Sequence, residues 1–169
     1  MIIPYQGKTP QIGKNCFIAE TAVLIGDVRL GDNCNIWYGA VLRGDMAPII
    51  LGESCNVQDN CVVHVNLGTP TVLGKRVSVG HGAIVHGATV EDNCLIGMGA
   101  VLMDNCRIGH GSVVGAGALV TENKQFPPCA LCIGTPAKVV NELPAEMEKD
   151  RIEHADYYAQ LAKEYMQIK

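Results

Sequence analysis

The sequence predicts a mainly β protein. Residues 1–135 form a parallel β-helix of about six coils, and the segment 136–169 supplies one α-helix that lies along it. Three observations predict this. Apolar residues recur every six positions at Ile12, Ile18, Leu24, Leu30, Ile36 and Leu42, and after a three-residue slip at Leu51, Val57 and Val63. A four-residue insertion later, the count resumes at Leu73, Val79 and Val85, and after one dropped residue it runs from Val90 to Val120. A period of six fits neither a helix nor a simple amphipathic strand, and it is the mark of a solenoid of hexapeptides. Second, the composition suits such a filling, with 48% hydrophobic, 18% charged and only 5% aromatic residues, and with 19 glycines for tight corners. Third, the period gives way after Val120 to the stretch ENKQFPPCALCIGTPAK, and from Leu143 the pattern turns helical.

Three hexapeptides make one coil of a triangular prism, so every third apolar position stacks on one flat side. Side A takes Ile12, Leu30, Leu51, Leu73, Val90 and Ile108; side B takes Ile18, Ile36, Val57, Val79, Ile96 and Val114; side C takes Leu24, Leu42, Val63, Val85, Leu102 and Val120. The next residue points outward, because strand side chains alternate. On side A it is mostly glycine, whereas on side C Arg43, His64 and His86 form one column with coils about 4.8 Å apart. His81 follows Val79 by two and belongs to the end of side B.

Two stacked imidazoles and a third on another side make a poor site within one chain. A threefold trimer that sets side C of one chain against the B edge of the next brings the three together, with a metal between subunits. Three neutral imidazoles plus an open position suit catalytic zinc. The same docking carries Arg43 to the neighbour's Asp59, a planar fork meeting a carboxylate, which competes with a solvated Arg43–Asp45 pair two residues apart. Trp37, in an outward slot on side B, either meets a neighbouring subunit or lies on its own chain. Gln58 either hydrogen-bonds a metal-bound hydroxide or caps a surface strand. His110 and His154 read as ordinary surface histidines.

Six of the eight cysteines occupy a slot four residues after the inward residue, a slot that alanine or serine fills elsewhere, so they read as small buried thiols. Cys129 and Cys132 form one CxxC without a partner pair and read as incidental thiols. The charge of −4 and the lack of a basic run argue against nucleic acid. No apolar run is long enough for a membrane span, and the N-terminal stretch shows no secretory pattern, so a cytoplasmic protein is expected. The C-terminal helix, about 24 residues and about 36 Å long, should run back along the whole prism of about 29 Å with Met147, Ile152, Ala155, Tyr158, Ala159, Ala162 and Tyr165 inward. Tyr157 and Tyr158 find no place in this reading.

AVLRGD at 40–45, NVQDNCVVH at 56–64, VGHGAIVHGA at 79–88, IGMGAVL at 96–102 and GTPAK at 134–138 resemble the γ-class carbonic anhydrase family. The resemblance implies a left-handed prism and a homotrimer holding three interfacial metals, zinc or in its place iron or cobalt. It implies His64 and His86 of one subunit and His81 of the next as ligands, Arg43 and Asp59 as the intersubunit ion pair, Asp45 as its partner acid, and Gln58 beside the bound water. The activity implied is reversible hydration of CO2 to bicarbonate by a metal-bound hydroxide. Two alternatives stand beside it: a hexapeptide-repeat acyl-CoA transferase or thioesterase, and a non-catalytic, metal-stabilised trimeric assembly protein. Where the fully active archaeal type has glutamate after RGD, this chain has Met46, and the loop VNLGTP carries no carboxylate to relay protons.

Overall fold

The computed structural model describes residues 1–168. It is a parallel β-helix with one long C-terminal helix, as the six-residue period requires. Side B is a stack of two-residue rungs, Phe17–Ile18, Asn35–Ile36, Asn56–Val57, Ser78–Val79, Leu95–Ile96 and Val113–Val114, closed by the strand Ala130–Gly134. Sides A and C fuse into one sheet, because the strands Val23–Leu30 and Val41–Leu51 run through the corner between them. The inward positions Leu24, Leu42, Val63, Val85, Leu102 and Val120 are fully buried.

The solenoid has seven layers where six were expected. Phe126 pairs with Ile108 on side A and Cys132 with Val114 on side B, so the period of six continues through 126 and 132. Pro127 and Pro128 sit between these two rungs and remove no ladder hydrogen bond, which is why the proline pair does not end the repeat. At the other end Ile2 and Ile3 pair with Leu24 and Ile25. A hairpin absent from the sequence reading follows: Ala137–Glu142 returns antiparallel along Ala130–Gly134.

Asparagine does as much as glycine at the corners. Asn15, Asn33, Asn60, Asn93, Asn105 and Asn123 all have φ between 55° and 60°. Of the residues with a side chain, asparagine tolerates this left-handed region best. The corner cysteines donate to carbonyls of the adjacent coil, Cys34 Sγ to Gly52 O at 3.1 Å and Cys94 Sγ to Gly109 O at 3.2 Å. All eight cysteines are free. Burial pushes the thiols of Cys61 and Cys132 up to about 11 and those of Cys94 and Cys106 up to about 12, so these groups stay protonated.

Helix α1 spans Glu148–Tyr165, 18 residues preceded by a single 3-10 turn at Ala145–Met147, and is about 27 Å long. It is shorter than expected and lies against the first four rungs of side B, from Glu148, bonded to the corner residue Asn93 at 2.6 Å, to Tyr165, whose ring stands 6.0 Å from Phe17. Ala155 and Ala162 are buried beneath it as expected, whereas Met147 is exposed. No helix is long and apolar enough to cross a membrane.

Under α1 the outward side chains of side B are buried, and most of their polar atoms are paired, in two separate groups, with only Asn35 Nδ2 left without a partner among the described residues. Trp37 Nε1 donates to Asn35 Oδ1 at 2.7 Å, Gln58 Nε2 to Asn56 Oδ1 at 3.0 Å, and Asn56 Nδ2 to Ser78 Oγ at 2.7 Å. Ser78 in turn meets Nδ1 of His154 on the helix at 3.1 Å. Pairing of this kind removes the cost that buried amides and hydroxyls otherwise carry. His154 is therefore not a free surface residue, and burial lowers its pKa.

Candidate metal centre

His64 and His86 occupy the same register position on adjacent coils of side C. Stacking sets His64 Nδ1 3.0 Å from His86 Nε2, with ring centroids 5.0 Å apart. Each outer ring nitrogen meets a carboxylate: His64 Nε2 lies 3.0 Å from Asp45 Oδ1, and His86 Nδ1 lies 2.5 Å from Asp104 Oδ1. Asp45 also takes Arg43 on its other oxygen, and Asp104 takes Asn66 Nδ2 at 2.9 Å. Burial pushes the Asp45 carboxyl up, but the hydrogen bonds from His64 and Arg43 outweigh it and hold it below its ordinary value. For Asp104 the hydrogen bond from Asn66 is the largest influence, burial opposes it, and His86 adds to it, so this carboxyl too is lowered.

These partners assign the tautomers. An ionised carboxylate only accepts, so the ring protons sit on His64 Nε2 and His86 Nδ1. In two neutral rings the facing nitrogens, His64 Nδ1 and His86 Nε2, are then both bare lone pairs 3.0 Å apart. Two such lone pairs repel unless a cation or a proton lies between them. Two nitrogens on a tetrahedral zinc, with bonds of about 2.0–2.1 Å, stand about 3.3 Å apart. The donor set therefore fits a metal of this kind, backed by carboxylates that fix its ligands.

His81 stands apart, at the end of side B. Its Nδ1 is 2.9 Å from Asp59 Oδ2 and its backbone N–H donates to Gln58 Oε1 at 3.2 Å. Among the described residues of one chain, no three His, Cys, Asp or Glu side chains come together to hold a metal. The structure thus groups the sequence candidates in two: Arg43, Asp45, His64 and His86 on side C, and Gln58, Asp59 and His81 on side B.

Three sets of alternatives narrow in the single chain. Gln58 is only 4% exposed and sits under α1 with both ends of its amide engaged, so it does not cap an open strand. Trp37, expected at an interface or on its own chain, lies on its own chain: it is 4% exposed, with Phe17, Tyr158 and Tyr165 around its ring at 5.1 to 5.6 Å. Tyr158 thereby finds its place, and Tyr157 stays exposed beside it. In this chain Arg43 pairs with Asp45, the nearer of its two candidate acids in sequence.

Two features were missed. Asp104 belongs to one of four Asp-Asn-Cys corners, at 32–34, 59–61, 92–94 and 104–106, and it alone follows a side C position, Leu102, one coil beyond His86, a register signal that was readable. The second is the column that precedes the inward residues of side C, namely Val23, Val41, Val62, Ile84, Val101 and Leu119, stacked rung on rung beside the histidines. Its recurrence once per coil was readable, and Val62 and Ile84 are exposed in the single chain.

Residues 9–44 and 87–122 match the family model for the bacterial transferase hexapeptide (six repeats), and residues 70–103 match the hexapeptide repeat of succinyl-transferase. The chain is 48% identical to a Methanocaldococcus jannaschii protein named a probable carbonic anhydrase, over 90% of this chain and 96% of that one. It is 41% identical over 95% of its length to mitochondrial gamma carbonic anhydrase 2 of Arabidopsis thaliana, of which it spans 58%. The chain belongs to the γ-class carbonic anhydrase family. Within the solved structures, a hexapeptide transferase family protein from Anaplasma phagocytophilum superposes with a TM-score of 0.93 at 40% identity, covering 98% of each chain. The γ-class family thus shares its prism with proteins named as transferases, and the fold alone does not decide the chemistry.

Proposed function

We propose that this γ-class chain hydrates CO2 reversibly at metal sites between the subunits of a homotrimer, with His64 and His86 of one subunit and His81 of the next as ligands. The observation that carries the reading is the pair of bare nitrogens on His64 and His86, 3.0 Å apart and each backed by a carboxylate, with the third imidazole on another side of the prism. The apolar column from Val23 to Leu119 supports a second copy of the chain as the neighbour, since it gives side C a continuous surface to bury. Zinc, or iron or cobalt in its place, would lower the pKa of water to about 7 and so supply hydroxide as the nucleophile. The chain's own residues do the rest. Asp45 and Asp104 orient the two rings, Gln58 anchors the backbone of His81, and Arg43 remains available to a bicarbonate anion or to the neighbour's Asp59.

The decisive experiment mixes two variants. His64→Ala and His81→Ala chains each lose their sites, but trimers refolded from both contain interfaces that receive wild-type ligands from each side. Zinc content and stopped-flow CO2 hydration should recover partly in the mixture. Values equal to those of the unmixed variants would end the intersubunit reading.

A second reading, acyl transfer or thioester hydrolysis, is favoured by one observation. A trough of about 370 Å³ runs beside His81 over Gly80, Gly97 and Gly115, with Leu95, Val113 and Tyr158 along it. That is far more room than CO2 needs. A panel of acyl thioesters assayed beside CO2 separates the two, and a metal-loaded trimer inert toward both would be an assembly protein.

A further inference from the structure

We propose that Asp104, braced by Asn66, is a positioning residue that selects which ring nitrogen of His86 is offered to the metal. The inference rests on the metal-site reading above, and it concerns a carboxylate that lies outside the motifs on which the family resemblance rests. Asp104 is one of the four corner aspartates, yet it behaves unlike two of the others. Asp32 Oδ1 accepts from the backbone N–H of Lys14 and Asp92 Oδ1 from that of Lys75, both at 2.8 Å, so these two simply tie one coil to the next. Asp104 Oδ1 instead meets His86 Nδ1 at 2.5 Å.

Two local features make that possible. The first is Gly87, at φ +56°, where an added Cβ would stand 2.3 Å from Asp104 Oδ1 and 2.9 Å from Thr69 Cγ2. Only glycine leaves room for the carboxylate to reach past the backbone to the ring. The second is the loop after His64. Asn66 donates through Nδ2 to Asp104 Oδ2 at 2.9 Å, while its own Oδ1 accepts from the N–H of Leu67 at 2.8 Å and its backbone bridges to Thr69. Both carboxylate oxygens are thus held, one by the loop and one by the ring. A carboxylate fixed in this way keeps the proton on Nδ1 and leaves Nε2 as the donor atom facing His64.

The test uses the full chain labelled with 15N in its histidine rings, read without metal and then titrated with zinc against a competing chelator. In the wild type, His86 should show the Nδ1–H tautomer. Asp104→Ala should turn it into a mixture while the His81 ring is unchanged, and zinc affinity should fall on the order of 10- to 100-fold. Asp104→Asn keeps an acceptor oxygen and should retain the tautomer, and Asn66→Ala should lower zinc affinity less than Asp104→Ala does. An unchanged His86 tautomer in Asp104→Ala, with zinc affinity within twofold of wild type, would overturn the proposal. If Asp104→Ala does not fold, the Asn66→Ala variant decides: affinity equal to wild type refutes the brace. Wild-type protein that takes up no zinc, with the tautomer change still seen in Asp104→Ala, would refute the metal reading and leave the positioning intact.

Discussion

Arg43 is bonded to Asp45 of its own chain, while Asp59, the acid expected to receive it across an interface, is engaged by His81 of its own chain at 2.9 Å. The Arg43–Asp45 bond uses one guanidinium nitrogen, and the Arg43 side chain is 44% exposed. The rest of the fork is therefore free to reach a neighbour, with Asp45 acting as the post that aims it.

Arg43→Ala should consequently weaken association and lower metal content together. Light scattering on dilution should show species smaller than the trimer, and elemental analysis fewer metals per chain than in wild type. A full trimer with three metals would show that the fork makes no intersubunit contact of consequence.

On the proposed reading, proton export should limit hydration, because neither position 46 nor the loop 65–72 carries a carboxylate. The rate should be low in dilute buffer and rise with the concentration of a small imidazole buffer. Met46 and Leu67 are exposed, Leu67 at 80%, so Met46→Glu or Leu67→Glu should raise the rate on the order of tenfold when buffer is scarce and little when it is abundant. Asn66 looks equivalent in sequence, but its amide holds Asp104, and Asn66→Glu should lower metal affinity instead of adding a relay.

Trp37→Ala should cost about 3–5 kcal/mol of stability, the usual cost of emptying a buried aromatic site, because its ring fills the space between side B and α1. Chemical denaturation measures the loss. Since the ring lies under its own helix, the association state of the folded variant should equal that of wild type, and dissociation into folded monomers would restore the interface reading.

The helix should loosen in mild acid. Burial lowers the pKa of His154 below its ordinary 6.5, so the unfolded chain binds the proton more readily than the folded one. The neutral ring's contribution is whole above pH 6.5 and is lost as the pH falls through the folded value, where protonation also removes the acceptor that Ser78 meets. Protection factors of the α1 amides, corrected for the intrinsic pH dependence of exchange, should fall below pH 6.5 in wild type, and His154→Gln should flatten that dependence. Identical profiles in the two proteins would place the acid sensitivity elsewhere.

The period of six, its slips and its insertion are all properties of the chain itself. With strand alternation they determine the prism, the register of Arg43, His64 and His86 on side C, and the separation of His81 from them. These follow from sequence because a solenoid converts sequence spacing directly into height and side. What the tertiary structure decided depends on groups that the repeat treats as interchangeable. The four Asp-Asn-Cys corners share one motif, and although register puts Asp104 alone on side C, only the packed side chains show that it meets a histidine ring while Asp32 and Asp92 meet backbone amides. Trp37 and Gln58 stand outward in their rungs, as alternation demands, yet both are buried, because α1 lies over the first four rungs of side B and turns an outer face into an interior one. No local pattern encodes which side a helix will cover. That choice is made by the fit of Tyr158 and Tyr165 around one tryptophan, a contact spanning more than a hundred residues of chain.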